Sequence, residues 1–381
     1  MAPRAEPRKS PRLDAPVYPL YNRRPLHDRR ARLESFRMSR RRLVLAAILA
    51  LPLLAGAWAG LWFLAAAKAR QAALDWIEAK RTQGYHAAHG AIEARGFPFS
   101  LRLEIARPAF GAGPDGAEWL WRTDWVTVHI EPWNLRELAL SAPGAHIIEL
   151  ARRGGRVSYL LDAGWLDAIL TLSRDWDLEG VFVELREAEF GHTDRPERAS
   201  LAGLDVNFRL PPDPGEGAPR AELGLAIDQL GLPANMGAPL GDTVEFTFLD
   251  LALYGRIAPG PLKDALDEWR RAGGTVEIRR MEGKWGLLGT EGEGTAALDG
   301  RLQPMGAFTA RLSGYGEAID RLVETEWVRP TEGATAKVLL NLVSKPGPDG
   351  VAEVRVPLTV QDGGVFVGPA SLMALPPVRW E

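Results

Sequence analysis

The chain has 381 residues, with 46 Lys and Arg against 49 Asp and Glu for a net charge of −3, and it contains no cysteine. The missing cysteines exclude a disulfide-stabilised domain, a lipid-modified cysteine anchor and a cysteine nucleophile. Residues 1–42 carry 13 basic and 4 acidic residues (+9), whereas residues 68–381 carry 33 and 45 (−12). This acidic excess opposes nucleic-acid binding, because it repels phosphate.

The N-terminal segment, residues 1–42, is basic and rich in proline, without apolar periodicity. Such a composition cannot bury enough apolar surface to fold, so we expect a disordered cytoplasmic tail. Met38 lies just before the run Ser39-Arg40-Arg41-Arg42, which makes a position near residue 38 an alternative start of translation.

The segment Leu43–Ala67 has 25 residues and no charged side chain. As a helix it would span about 37 Å, more than the roughly 30 Å hydrocarbon core of a bilayer. The basic residues before it predict a single-pass protein of the bacterial inner membrane, with a cytoplasmic N-terminus and a periplasmic C-terminal part. A cleaved signal peptide ending at Ala65-Ala66-Ala67 is the alternative, although its apolar region would be shorter. Gly56 and Gly60 match the GxxxG pattern of helix dimerisation.

Residues 68–95 are interpreted as a helical stalk that continues the span. Within it, His86, His89 and Glu93 fall at positions i, i+3 and i+7, which lie on one face of a helix. Imidazole and carboxylate groups at that spacing could bind zinc. Gly84 and Gly90 weaken such a helix, so solvated surface residues are the favoured interpretation. We therefore expect no metal and no cofactor.

Residues 96–381 form the predicted β-rich periplasmic domain. Runs of alternating apolar and polar residues, each typical of a half-buried strand, occur at 99–105, 126–130, 181–185, 204–210, 223–227, 244–248, 276–278, 308–312 and 352–360. Helical spacing of apolar residues occurs at Gly164–Ser173, Pro261–Ala272 and Glu317–Val328. The predicted fold class is α+β, mainly β: a long twisted antiparallel sheet with a few short helices and one N-terminal transmembrane helix.

A sheet of alternating strands has one continuous apolar face, and three short helices would cover only part of it. The uncovered part would be an apolar groove, and large exposed apolar patches usually mark binding surfaces. The candidate groove residues are Leu204, Val206, Phe208, Val244, Phe246, Phe248, Phe308 and Leu312. The alternative is a sheet that closes on itself as a sandwich, in which these residues are ordinary core.

Catalytic motifs do not emerge from the sequence. There is no G-x-S-x-G elbow and no P-loop. Gly292 and Gly294 match part of a dinucleotide-binding fingerprint, which requires a helix after it. The residues that flank them are typical of sheet and turn, so a glycine-rich hairpin is the better interpretation. We expect a non-enzymatic protein that binds or passes lipid or supports envelope assembly. A protein-interaction scaffold is the first alternative, and an envelope hydrolase is the second.

Short turn and packing motifs resemble an uncharacterised alphaproteobacterial membrane-anchored family, domain of unknown function 2125 (DUF2125). The residues that carry the resemblance are Gly96, Phe97, Pro98, Phe99, Asp299, Gly300, Gly368, Pro369, Pro376 and Pro377. More distantly, the layout is similar to the AsmA-like envelope proteins. The resemblance implies one N-terminal span and a β-rich periplasmic part, and it brings no catalytic residues. The expected partners are inner-membrane lipid around residues 43–67, a lipid ligand and an envelope protein.

Overall fold

The computed structural model describes residues 40–380, except 114–115, 132, 153, 213, 347–351 and 369, and the side chains of residues 40–47 and 370–373 lie outside this description. The basic tail up to residue 39, the alternative start at Met38 and the motif residue Pro369 are therefore outside the described residues. The chain divides into two compact units, Met1–Gly56 and Ala57–Glu381. In the first unit, residues 40–56 are helical.

Helices contribute little of the chain beyond its first long element. Within the described part of the chain, the α-helices are α1 (Arg40–Thr82), α2 (Leu262–Arg271), α3 (Tyr315–Glu324) and α4 (Pro330–Val343). Helix α1 contains the predicted apolar segment, and by length and composition it could cross a membrane. Pro261 precedes α2 and Pro330 opens α4, where a proline does not interrupt helical hydrogen bonds.

The strands follow in chain order. They are β1 (Tyr85–Ala88), β2 (Ile92–Arg95), β3 (Leu101–Ala106), β4 (Ala109–Ala112), β5 (Trp119–Thr123), β6 (Trp125–Glu131), β7 (Asn134–Ser141), β8 (Gly144–Arg152), β9 (Gly155–Leu172), β10 (Leu178–His192), β11 (Arg198–Arg209), β12 (Ala221–Gly231), β13 (Thr243–Tyr254), β14 (Thr275–Trp285), β15 (Leu288–Leu298), β16 (Pro304–Ser313), β17 (Lys345–Pro346), β18 (Ala352–Gln361), β19 (Gly364–Val367) and β20 (Ala370–Ala374). They form one antiparallel sheet, which confirms the predicted fold class.

The sheet branches at β9, its longest strand. One edge of β9 pairs with β10, from which a meander continues through β11, β12, β13, β14, β15 and β16 to β18, β19 and β20. The other edge pairs with β8 along the first half of β9 and with β7 along the second half. Behind these, one branch runs β8–β5–β4–β1 and the other runs β7–β6–β3–β2.

Buried residues form four small clusters rather than a single large core, and one of these, Ala163 with Leu185 and Ala188, joins β9 to β10. Helix α1 packs Trp62 and Ala66 against Leu101 of β3. About three turns further along the same helix, Ile77 packs against β1 and β2. At the far end of the sheet, Tyr315 of α3 packs on β18, with α4 alongside. The helices therefore cover the two ends of the sheet.

Two predicted helical segments are wrong. Gly164–Ser173 lies in β9, because apolar residues occupy both faces of that strand and hide its period of two. The predicted stalk is helical only as far as Thr82. Gly84, with a φ of +88°, ends the helix, and residues 85–95 turn back as β1 and β2 against α1. The predicted helices at Pro261–Ala272 and Glu317–Val328 match α2 and α3.

Candidate apolar binding surface

The strand register assembles one apolar face across the meander. Directly paired residues of antiparallel strands point to the same side of a sheet. The first row of such pairs is Leu170, Val181, Phe208, Leu223, Leu251, Ile278, Gly294, Phe308 and Leu358. The second row is Ala168, Val183, Val206, Leu225, Leu249, Met281, Gly292, Ala310 and Val356. The third row is Leu166, Leu185, Leu204, Ile227, Thr247, Gly283, Thr290, Leu312 and Val354, so it is apolar at its ends and not in its middle. We call these three rows the apolar face.

The middle of the apolar face is only half covered. At its ends, Leu185 is 6% exposed and Val354 is fully buried. Between these ends, the buried residues of β11 to β16 are the small ones Gly203, Ala221, Ala252 and Ala310. In a closed sandwich, alternate large residues on each of these strands would be buried. This part of the sheet is therefore an open surface.

The predicted groove residues divide between the two sides of the sheet. Leu204, Val206, Phe208, Phe308 and Leu312 lie together on the apolar face.

Phe246 and Phe248 do not share that face, so the prediction of a single surface is wrong for them. They pair with Asp228 and Ala226, whose neighbours along β12 face the other way. Val244 lies beyond a register shift in β13. Residues 244–253 place apolar side chains on both sides of β13. The spacing of apolar residues along this strand therefore cannot tell which side belongs to the apolar face. The residues missed on this strand are Leu249 and Leu251, and only strand pairing reveals them.

The opposite side of the sheet carries charged side chains that form ion pairs with one another. Cross-strand ion pairs join Arg186 to Asp205 at 2.7 Å, Arg279 to Glu222 at 2.7 Å and Arg311 to Glu291 at 3.1 Å.

Phe248 lies among these charges, with the guanidinium of Arg280 5.2 Å from its ring centre. The side-chain hydrogen bond to Glu222 is the main cause that raises the pKa of Arg279 above its usual range. A depression of about 280 Å³ on this side is lined by Asp205, Asn207, Glu222 and Phe248 among others. The sheet thus has one apolar and one ionic side.

The suggested metal ligands are not brought together as a helix face. His86 lies in β1 and Glu93 in β2, and these strands pair with β4 and β3 respectively. The Nδ1 atom of His89 lies 2.7 Å from the carbonyl oxygen of Gly90, and Glu93 pairs with Arg95 at 2.5 Å. The reason is the end of α1 at Thr82, which converts the segment to strands. Among the residues that the structure describes, no group of three potential ligands surrounds a metal position.

The Gly96-Phe97-Pro98-Phe99 motif forms the turn between β2 and β3, beside α1. The indole Nε1 of Trp58 donates a hydrogen bond of 2.9 Å to the carbonyl of Pro98. Gly96 has a φ of +102°, and a Cβ atom there would lie 2.6 Å from the carbonyl oxygen of Ser100. Only glycine suits this turn, which explains the first position of the motif.

Two other motifs meet in space at the far end of the chain. Asp299 accepts hydrogen bonds from the backbone N–H groups of Gln303 at 2.7 Å and Arg301 at 2.8 Å. These bonds, that from Gln303 first, lower the pKa of the Asp299 carboxyl group. The side chain of Gln303 then makes two hydrogen bonds with the backbone of Val378, directly after Pro376 and Pro377. Gly300 and Gly368 lie in turns. The motifs are structural.

One histidine is fully buried. The Nε2 atom of His146 lies 2.8 Å from the carbonyl oxygen of Ala142, and Trp121 donates its indole N–H to Nδ1 at 3.2 Å. These partners fix a neutral imidazole with its proton on Nε2. Burial is the main cause that lowers the pKa of His146. The ring is enclosed by its partners, so this is a packing histidine.

Comparison with known proteins assigns the chain to a family and leaves the chemistry open. No curated protein and no solved structure matches it. The profile of a family described as an uncharacterised protein conserved in bacteria matches residues 62–376, from the buried tryptophan of α1 to the prolines that follow β20. The matched range contains the β2–β3 turn, the whole sheet and the C-terminal contact with Gln303. The chain belongs to the DUF2125 family.

Proposed function

We propose that this protein is held in the bacterial inner membrane by α1 and binds lipid acyl chains on the apolar face of its periplasmic sheet. The observation that carries the proposal is the open middle of that face. Large apolar side chains on four successive strands, β11 to β14, stay partly exposed, and Met281 remains 38% exposed. An apolar ligand would remove this surface from water, which is favourable.

The dimensions of the open region suit a lipid chain. Four strands spaced about 4.8 Å apart are about 14 Å wide, and three rows of side chains extend about 14 Å along β11 and β12. One leaflet of acyl chains is about 15 Å thick, half of the hydrocarbon core. Covering about 200 Å² at about 25 cal/mol per Å² would release roughly 5 kcal/mol before the costs of association.

Membrane anchoring is supported by the surface of α1 itself. Leu51, Leu53 and Leu54 expose 66%, 74% and 66% of their surface. Exposed apolar side chains along one long helix are more stable in contact with lipid than in contact with water. The basic residues before the apolar segment favour a cytoplasmic N-terminus and a periplasmic sheet. The distant resemblance to AsmA-like envelope proteins agrees with this arrangement.

The proposal is tested by measuring the phospholipid that co-purifies with the full chain. Val206→Asp combined with Leu225→Asp places two charges on the apolar face. Asn207→Asp combined with Ala226→Asp places two charges on the neighbouring residues of the ionic face. Lipid around α1 contributes equally to both variants, so their difference isolates the sheet.

We expect the apolar-face variant to lose a distinct pool of bound phospholipid that the ionic-face variant keeps. Equal lipid in both variants would contradict lipid binding by the sheet. Loss of a co-purified protein, with lipid unchanged, would favour a protein-interaction scaffold instead.

A further inference from the structure

Three neighbouring turns at one end of the sheet carry exposed aromatic side chains. The β2–β3 turn carries Phe97 and Phe99, the β6–β7 turn carries Trp133, and the β9–β10 turn carries Trp176. Phe99 is 86% exposed, Trp133 is 73% exposed and Trp176 is 61% exposed. We call these four residues the aromatic edge. Exposed aromatic side chains cost free energy in water, so a set of them at one end of the molecule indicates a contact surface.

Strand pairing shows that the aromatic edge is continuous. Leu101, Ile130, Leu138 and Leu170 are paired in one row across β3, β6, β7 and β9. Each of the three turns lies a few residues beyond this row, on the same side of it. Successive turns are two strands apart, or about 10 Å. The aromatic edge is thus a line about 19 Å long.

Helix α1 contacts the β2–β3 end of this line at a level inside its apolar segment. Trp58 and Trp62 donate indole hydrogen bonds of 2.9 Å to the carbonyls of Pro98 and Ser100. The ring of Phe63 stacks on that of Phe97 at 5.7 Å. Lys68 is the first charged residue after the apolar segment. At 1.5 Å per residue, Trp58 and Trp62 lie about 15 and 9 Å before it along the helix.

The β2–β3 turn has the chemistry that lipid requires. Residues 96–101 carry no charge. Several of its backbone polar groups are paired within the protein: the N–H groups of Phe99 and Ser100 bond to the Gly96 carbonyl, and the two tryptophans donate to the carbonyls of Pro98 and Ser100. Pro98 has no N–H group. Backbone groups in hydrocarbon must be satisfied within the protein, because lipid offers them no partner.

The other two turns have the composition of the membrane–water interface. Trp133 and Trp176 each have exposed charges of both signs close in sequence: Glu131 and Arg136 around Trp133, and Arg174, Asp175 and Asp177 around Trp176. Tryptophan is enriched at the depth of the lipid headgroups, because its ring is apolar and its indole N–H group is polar. A cleft of about 450 Å³ between α1 and β2 has Trp62 and Phe63 among its lining residues, together with Arg70 and Arg95.

We propose that the aromatic edge inserts into the leaflet that α1 leaves, with the β2–β3 turn among acyl chains and Trp133 and Trp176 among headgroups. This inference rests on the proposed membrane anchoring. The row beside the aromatic edge continues through Leu170 and Val181 to Phe208, which is the first row of the apolar face. The apolar face therefore begins at the bilayer, and a lipid chain can pass onto it without crossing water.

The absence of cysteine allows a direct test with one probe at a time. Phe99→Cys, Trp133→Cys and Trp176→Cys variants of the full chain are labelled with an environment-sensitive fluorophore and reconstituted into phosphatidylethanolamine–phosphatidylglycerol vesicles. Spin-labelled lipids then quench the probe from headgroup or acyl depth. Met236→Cys is the matched control, because Met236 is 57% exposed in the β12–β13 turn at the opposite end of the sheet. Leu54→Cys reports the anchor.

We expect the probe at residue 99 to be blue-shifted and quenched from acyl depth, the probes at 133 and 176 to be quenched from headgroup depth, and the probe at 236 to be unquenched. A probe at 99 that behaves like that at 236, while the probe at 54 is quenched, overturns the insertion of the aromatic edge and leaves anchoring intact. A probe at 54 without quenching overturns the anchoring itself.

Discussion

The indole nitrogen of Trp62 donates a hydrogen bond of 2.9 Å to the backbone carbonyl of Ser100, which lies 38 residues away in the chain. Trp62 is 8% exposed, although it belongs to the apolar segment of α1. This contact joins the helix to the turn that leads into β3. The β-rich body therefore begins against the helix, with no stalk between them.

Trp62→Phe removes this hydrogen bond and keeps most of the packing. The Ser100 carbonyl would lose its partner in a partly buried hydrogen bond, which typically costs about 0.5–1.5 kcal/mol. We expect a lower thermal unfolding temperature for the full chain in detergent. Trp58→Phe is the control, because Trp58 is 47% exposed and its loss should cost less. Equal effects of the two substitutions would contradict this contact as a main attachment of helix to sheet.

Gly96→Ala should destabilise the β2–β3 turn more than an ordinary glycine substitution. Gly96 and Gly144 both have a φ of +102°, so alanine is strained at either position, by about 1–3 kcal/mol. A Cβ at residue 96 would also lie 2.6 Å from the Ser100 carbonyl oxygen, whereas no atom lies within 4 Å of one at residue 144. Thermal unfolding of the two variants measures the difference, and similar losses would argue against the close contact.

Stability should depend on pH through His146. Its pKa is below the usual 6.5 in the folded protein, mainly because burial disfavours the charged imidazole. The unfolded chain therefore takes up the proton first, so the free energy of unfolding falls as the pH decreases below about 6.5. The loss ends once the pH passes the folded-state pKa. His146→Gln should flatten this dependence between pH 7 and 5 in denaturant titrations, and a dependence as steep as that of the unsubstituted chain would contradict the role of His146.

Gln303→Ala should loosen the C-terminal segment without unfolding the sheet. The Gln303 side chain holds Val378 through bonds of 3.1 Å from its amide nitrogen and 2.8 Å to its amide oxygen. We expect faster hydrogen exchange in residues 375–380 and unchanged exchange in β11 to β13. Protection that stays the same at the C-terminus would show that Trp380, which bonds to the Leu302 carbonyl at 2.7 Å, holds the segment alone.

The sequence predicted the sheet better than the surface on it. Period-two runs such as 204–210 and 352–360 became strands because one side of each is apolar and the other polar. Gly164–Ser173 was missed because both sides of β9 are apolar.

Phe246 and Phe248 were placed on the wrong side for the same reason, since β13 is apolar on both sides. The pairing of β13 with β12 decides which side of β13 shares a face with the leucines of β12. This pairing is a long-range relationship, and the spacing of residues within one strand does not reveal it. The aromatic edge likewise joins turns that are far apart in the chain.

The most direct test of lipid binding uses a photoreactive amino acid on one strand. Benzoylphenylalanine replaces Leu225, in the middle of the apolar face, or Ala226, the next residue on the ionic face. Cells are irradiated and the purified full chain is analysed by mass spectrometry for covalent phospholipid. We predict a phospholipid adduct at residue 225 and none at residue 226. Equal labelling at both positions, or only protein adducts at residue 225, would contradict a lipid-binding apolar face.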